Sequence, residues 1–160
     1  MQRRQIIQTA VGVASAAFFT PMVMAKPKPQ VEVWKDAGCG CCKDWIKHLE
    51  AEGFQVKAHD GGNAEARTRL RMPEKMGSCH TALVGGYAIE GHVPAKEIHR
   101  LLKERPKAIG LAVPGMPIGS PGMDGSIYEA RKDAYDVLLV LEDGKTRSYQ
   151  SYPSKPSIKS

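Results

Sequence analysis

Residues 36–45 read DAGCGCCKDW, which puts three cysteines, Cys39, Cys41 and Cys42, within four positions, and a fourth, Cys79, stands in GSCHTA. Thiolates serve as nucleophiles, as redox pairs and as ligands for soft metal ions. Cys39 and Cys42 have the C-x-x-C spacing of a disulfide-exchange pair, but that chemistry needs only two sulfurs, and Gly38 rather than a tryptophan precedes the motif. Cys41 is surplus to it. The plainest alternative is two structural disulfides. A Cys39–Cys42 bridge is easy, whereas the remaining Cys41–Cys79 bridge would crowd a second cross-link into the same corner. A metal site accounts for all four sulfurs, so it ranks first, redox exchange second and structural bridges third. Among soft ions Cu(I) leads, zinc follows and iron–sulfur comes third.

Zinc favours two separated chelate pairs, and distal to the first cluster the chain offers only SCH. On an extended strand Cys79 and His80 point to opposite faces, so they can share one ion only at a bend. Met116 and Met123, in PGMP and PGMD, are thioether donors that would extend a Cu(I) site, although a methionine is more often packing. His80 and His92 flank the expected pocket and can either bind metal or donate to a carbonyl. His48 shares a helix face with Cys41 but lies about 10 Å along the axis, too far for one ion. His59 and His99 read as solvated or core-edge side chains.

These residues need elements to hold them. VEVW, Val31 to Trp34, alternates as a strand and runs directly into the cysteine loop. From Cys42, Trp45, Ile46 and Leu49 follow at offsets of three, four and seven, one face of a helix that Gly53 ends. Phe54 to His59 alternates again, giving a parallel βαβ unit. Asn63 to Met72 reads as a polar helix stopped by Pro73. Thr81–Val84 and Tyr87–Glu90 are strands of a hairpin turning at Gly85 and Gly86. Pro94 opens a helix carrying Ile98, Leu101 and Leu102, closed by Pro106. This order is that of a thioredoxin-like α/β fold, a mixed sheet flanked by helices, with C-x-x-C at the first strand-to-helix corner. There the helix N-terminus lowers thiol pKa values. GLAVPGMPIGSPGMDGS cannot sustain a helix, and DVLLVLEDGKTRSYQ forms a second hairpin through Asp143 and Gly144, an extension expected to pack onto the sheet.

The amino terminus has the layout of a secretory signal peptide: Arg3 and Arg4, an apolar run from Ile6 to Phe19, Pro21, and a small-residue exit at Ala25. The run is too short and too polar to cross about 30 Å of hydrocarbon, so no stable membrane anchor is expected after cleavage. The RRQII start also resembles a twin-arginine signal, and both export routes stay open. The expected organisation is a signal peptide over 1–25, a disordered linker over 26–30, a single domain over 31–150 (31–110 core, 111–150 extension) and a disordered tail over 151–160. Removing Arg3 and Arg4 from the formal charge of +6 leaves +4, spread among Asp and Glu. With no basic stripe, nucleic-acid binding is excluded as a reading.

At CGCC…W, SCHTA, GYAIEGHVPA and GLAVPGMPIGSPGM, from about Val31 to Met123, the chain resembles the CopG-like periplasmic copper-resistance proteins, catalogued as a domain of unknown function with a thioredoxin-like fold. The resemblance implies an exported, periplasmic protein of Gram-negative bacteria that binds copper, as several ions bridged by cysteine sulfur, and interconverts Cu(I) and Cu(II). Carried onto this chain, the ligands are Cys39, Cys41, Cys42 and Cys79. The expected partners are copper ions and other periplasmic copper-handling proteins. Three functions stay in play: a copper-resistance protein holding Cu(I) on four thiolates, with copper oxidoreductase activity left open; a thiol-disulfide oxidoreductase using Cys39 and Cys42; and a non-redox copper chaperone.

Overall fold

Val31, Val33 and Lys35 alternate as buried residues with more exposed neighbours along β1 (Gln30–Lys35), a strand that lies second from one edge of the sheet. The computed structural model describes residues 27–128 and 131–155. The export segment read at 1–25 lies outside these residues. After β1 come α1 (Gly40–Ala51), β2 (Gln55–His59), α2 (Ala64–Arg69), β3 (His80–Val84), β4 (Tyr87–Glu90), α3 (Ala95–Glu104), β5 (Gly110–Ala112), β6 (Tyr135–Val140) and β7 (Thr146–Tyr152). They form one seven-stranded sheet in the order β2-β1-β3-β4-β5-β6-β7. Strand β1 is parallel to β2 and antiparallel to β3, with Lys35 opposite His80. The β3–β4 hairpin turns at Gly85 and Gly86, both at positive φ (55° and 90°), as a two-residue turn between right-twisted strands requires. The fold is the thioredoxin-like mixed sheet flanked by helices.

The two sheet faces carry separate cores. On one, Trp45 and Leu49 of α1 and Ile98 and Leu101 of α3 pack on Val31, Val33, Ile89, Leu111 and Leu139. On the other, Met72 and Met76 pack on Ala88, Ala112 and Val140. The neighbours Ile89/Ala88, Leu111/Ala112 and Leu139/Val140 divide between the two clusters, as a period of two demands.

Three expectations are corrected. The extension does not lie upon the sheet but continues it, because β5 pairs in parallel with β4 and then antiparallel with β6. The sequence reading had no strand at Gly110–Ala112; three residues are too few for a periodic signal. The second helix stops at Arg69, short of Met72, because Arg71 takes φ 61° and turns Met72 into the smaller core. Strand β7 runs to Tyr152 and Lys155 bridges to Lys132, so order extends past residue 150.

Candidate metal centre

Cys39 is the N-cap of α1, its Sγ accepting the Cys42 N–H at 3.3 Å, while its own N–H bonds the Asp36 carbonyl at 3.0 Å. The cap places all three proximal cysteines in the first turn, where free N–H groups and the helix dipole favour negative charge. Cys42 is fully buried, whereas Cys39 and Cys41 are partly exposed.

Cys79 arrives from the other side, at a bend just before β3. A buried polar network builds that bend. The Glu90 carboxylate, fully buried at the end of β4, accepts the Ser78 N–H at 2.7 Å and the Thr81 hydroxyl at 2.6 Å, and pairs with Arg67 at 2.8 Å. Arg67 and Asn63 also donate to the Ser78 carbonyl, at 2.8 and 3.1 Å. Burial raises the Glu90 carboxyl above its usual range, against the opposing pull of its hydrogen bonds and of Arg67. The sequence reading missed Glu90, Arg67 and Asn63. A carboxylate closing the buried strand YAIE was the one available signal, since such a group needs a partner.

The four sulfurs meet. One donor atom from each of Cys39, Cys41, Cys42 and Cys79 lies within 4.8 Å of every other. Cys39 and Cys42 form a disulfide across a Cα–Cα distance of 5.3 Å, while Cys41 and Cys79 are free thiols. Cys41 Sγ is 3.6 Å from Cys39 Sγ and 3.8 Å from Cys79 Sγ. Burial first, then the neighbouring Cys41, pushes the Cys79 thiol up to about 12. The low thiol pKa expected of a helix start therefore does not extend to Cys79, which belongs to no helix.

Cys79, His80 and His92 make a second close donor group. Cys79 Sγ lies 3.4 Å from His80 Nδ1 and 3.2 Å from His92 Nε2. The bend removes the opposite-face objection raised from the sequence, since adjacent residues 79 and 80 here reach one point. His92 Nδ1 is 2.8 Å from the Pro121 carbonyl, which can only accept, so Nδ1 carries the proton and the Nε2 lone pair faces Cys79. His80 and His92 are both fully buried. Burial, then the neighbouring His92, brings His80 down to about 3, and burial lowers His92 as well. His80 Nε2 has no hydrogen-bond partner.

The Gly/Pro loop straps across both sides of this cluster. Ser78 Oγ donates to the Gly115 carbonyl at 2.6 Å, and His92 reaches Pro121. Gly122, at φ 84°, sits so close to α1 that a Cβ there would fall 2.8 Å from Trp45 N. Met116 is 51 % exposed, and Met123 Sδ accepts from the Tyr128 hydroxyl at 3.5 Å. His48 Nε2 is occupied by the Ala95 N–H at 3.0 Å, away from the sulfurs. His59 stacks on Trp34 and His99 on Phe54.

A family model described as a protein of unknown function, DUF411, matches residues 76–123, the span from the Cys79 bend through the strap. Two solved structures of copper resistance protein copG, in form 1 and form 2, are each 48% identical to this chain with a TM-score of 0.72. They cover 80% and 79% of it, and 99% of their own chains. The chain belongs to the CopG family. No curated protein matches the sequence. The alignment to the copG structures spans nearly all of their length, so this CopG-family chain shares their whole fold and not a fragment of it.

Proposed function

We propose that this CopG-family protein binds copper in the service of copper resistance, holding Cu(I) on Cys39, Cys41, Cys42 and Cys79 when all four are reduced. The convergence of four sulfurs from two distant stretches of chain carries this reading. Copper is here the cargo, and the donor set suits it: thiolate sulfur is soft, and a thiolate can bridge two ions, so four close sulfurs favour a polynuclear cluster. His92 adds a neutral imidazole whose lone pair is already aimed at Cys79, and His80 presents Nδ1 3.4 Å from the Cys79 Sγ. The bend makes a mixed sulfur–nitrogen set that zinc also accepts, but the excess of sulfur and the kinship to copper resistance protein copG favour copper. The signal-peptide layout of residues 1–25 supports a periplasmic setting, where copper ions and other copper-handling proteins are the partners.

Anaerobic titration of the reduced protein with Cu(I) tests the reading. More than one copper per chain is expected, with a lower count for Cys79→Ser; one copper or none removes the cluster. The Cys39–Cys42 disulfide, with Cys39 the more exposed sulfur, favours thiol-disulfide exchange as the second reading. Reduction of insulin by the dithiol form, undiminished by Cys41→Ser and by a copper chelator, would put that reading first.

A further inference from the structure

The four sulfurs fall into two pairs with different standing. Cys39 and Cys42 are bonded to each other; Cys41 and Cys79 are free and 3.8 Å apart. When the first pair is bridged, the second does not lose its surroundings. Cys79 still has His92 Nε2 at 3.2 Å and His80 Nδ1 at 3.4 Å, and Cys41 still stands beside it. A soft donor set therefore survives oxidation of half the thiols.

We infer that the Cys39–Cys42 dithiol is the site's own reductant for copper(II), and that Cys41, Cys79 and His92 retain the copper(I) it makes. This deepens the copper reading and rests on it. Two copper(II) ions each accept one electron from the Cys39 and Cys42 thiols. Two S–H bonds break, the Cys39–Cys42 S–S bond forms, two protons pass to solvent and two copper(I) ions result. No other oxidant or reductant enters the balance.

Geometry assigns the pairs. The 5.3 Å Cα–Cα distance across one helical turn lies within the usual disulfide range of about 4.4–6.8 Å, so closing the bridge asks nothing of the fold. Cys39 Sγ accepts the Cys42 N–H with the bridge in place, so the cap also serves the oxidised state. Cys41 Sγ, 3.6 Å from Cys39 Sγ, links the reacting pair to the holding pair through sulfurs in contact. Cys79 is engaged with two imidazoles and comes from a distant stretch of chain, so it is placed to hold metal, not to close the bridge.

The test starts from fully reduced protein under anaerobic conditions, split between Cu(I) and two equivalents of copper(II) sulfate. In the copper(II) arm the free thiol count should fall from four to two, with two copper(I) appearing per disulfide. Peptide mapping should find Cys39 joined to Cys42 and alkylated Cys41 and Cys79. The variant C41S/C79S should still form the bridge but surrender its copper(I) to a competing chelator. C39S/C42S should reduce copper(II) at least about tenfold more slowly than the wild type. A bridge mapped to Cys41–Cys79 or between chains, a persistent copper(II) resonance with four thiols left, or equal rates in C39S/C42S would overturn the inference. Uptake in the Cu(I) arm separates the two levels: if it is normal while the thiols stay intact, only this inference fails, and if it is absent the copper reading itself fails.

Discussion

At the scale of single residues, the decisive group is Cys79, whose thiol is held up at about 12 by burial and by Cys41. Near neutral pH it is protonated, so copper must displace a proton to bind it. Apparent Cu(I) affinity should therefore rise with pH, by about tenfold per unit for each proton released, up to that value. Proton release in weakly buffered solution, measured on adding Cu(I), checks this; binding without release would contradict it. His92 makes a second residue-scale prediction. With its Nδ1 proton committed to Pro121 and its Nε2 facing Cys79, His92→Ala should weaken Cu(I) retention by about 10–100-fold against a competing chelator.

At the scale of elements, the site is the meeting of a helix start, a strand-entry bend and a strap. The bend depends on Glu90, and Glu90 depends on Arg67: this pair is buried on the carboxylate side and 17% exposed on the arginine side. Arg67→Ala would leave the carboxylate with only Ser78 and Thr81, a loss of about 3–5 kcal/mol if the charge stays buried. Urea denaturation of the metal-free protein measures it, and Cu(I) stoichiometry should fall in the same variant because Ser78 carries Cys79 with it. The strap offers an independent check. Gly122→Ala puts a methyl against the first turn of α1 at a backbone φ of 84°, which side chains avoid. A destabilisation of about 1–3 kcal/mol by the same denaturation is expected. Wild-type stability in Gly122→Ala would mean that the strap moves freely off the helix.

At the scale of the whole molecule, buried histidines set the acid limit of the metal-free fold. His80 is lowered to about 3 and His92 and His48 are lowered too, each chiefly by burial. Below the ordinary histidine value of 6.5 the unfolded chain takes up protons that the folded chain refuses, so stability falls as pH drops from 6.5 towards 3. Cys79 acts at the other end. Its folded value is raised from 9.0 to about 12, so the folded state keeps a proton the unfolded state loses, and stability falls as pH rises through that interval. Thermal midpoints of the reduced, metal-free protein should peak between these flanks. Flat midpoints from pH 6.5 down to 4 would show the histidine pocket to be open to water.

Local order was legible in the sequence wherever it depends on neighbours along the chain. The C-x-x-C at a strand-to-helix corner, the Trp45–Leu49 face, the Gly85–Gly86 turn and the thioredoxin-like order all rest on spacings of a few residues, which fix what a backbone can do nearby. The proximal three cysteines were bound to lie together for the same reason. The resemblance already assigned Cys79 to the same site; tertiary structure alone decided that the chain bends between Cys79 and His80, that Arg67 meets Glu90, and that His92 is oriented by Pro121. Apart from that bend, these contacts and the Cys41–Cys79 approach join residues 23 to 38 positions apart. They are held by sheet register and by the need to pair buried charge, and no local spacing encodes either.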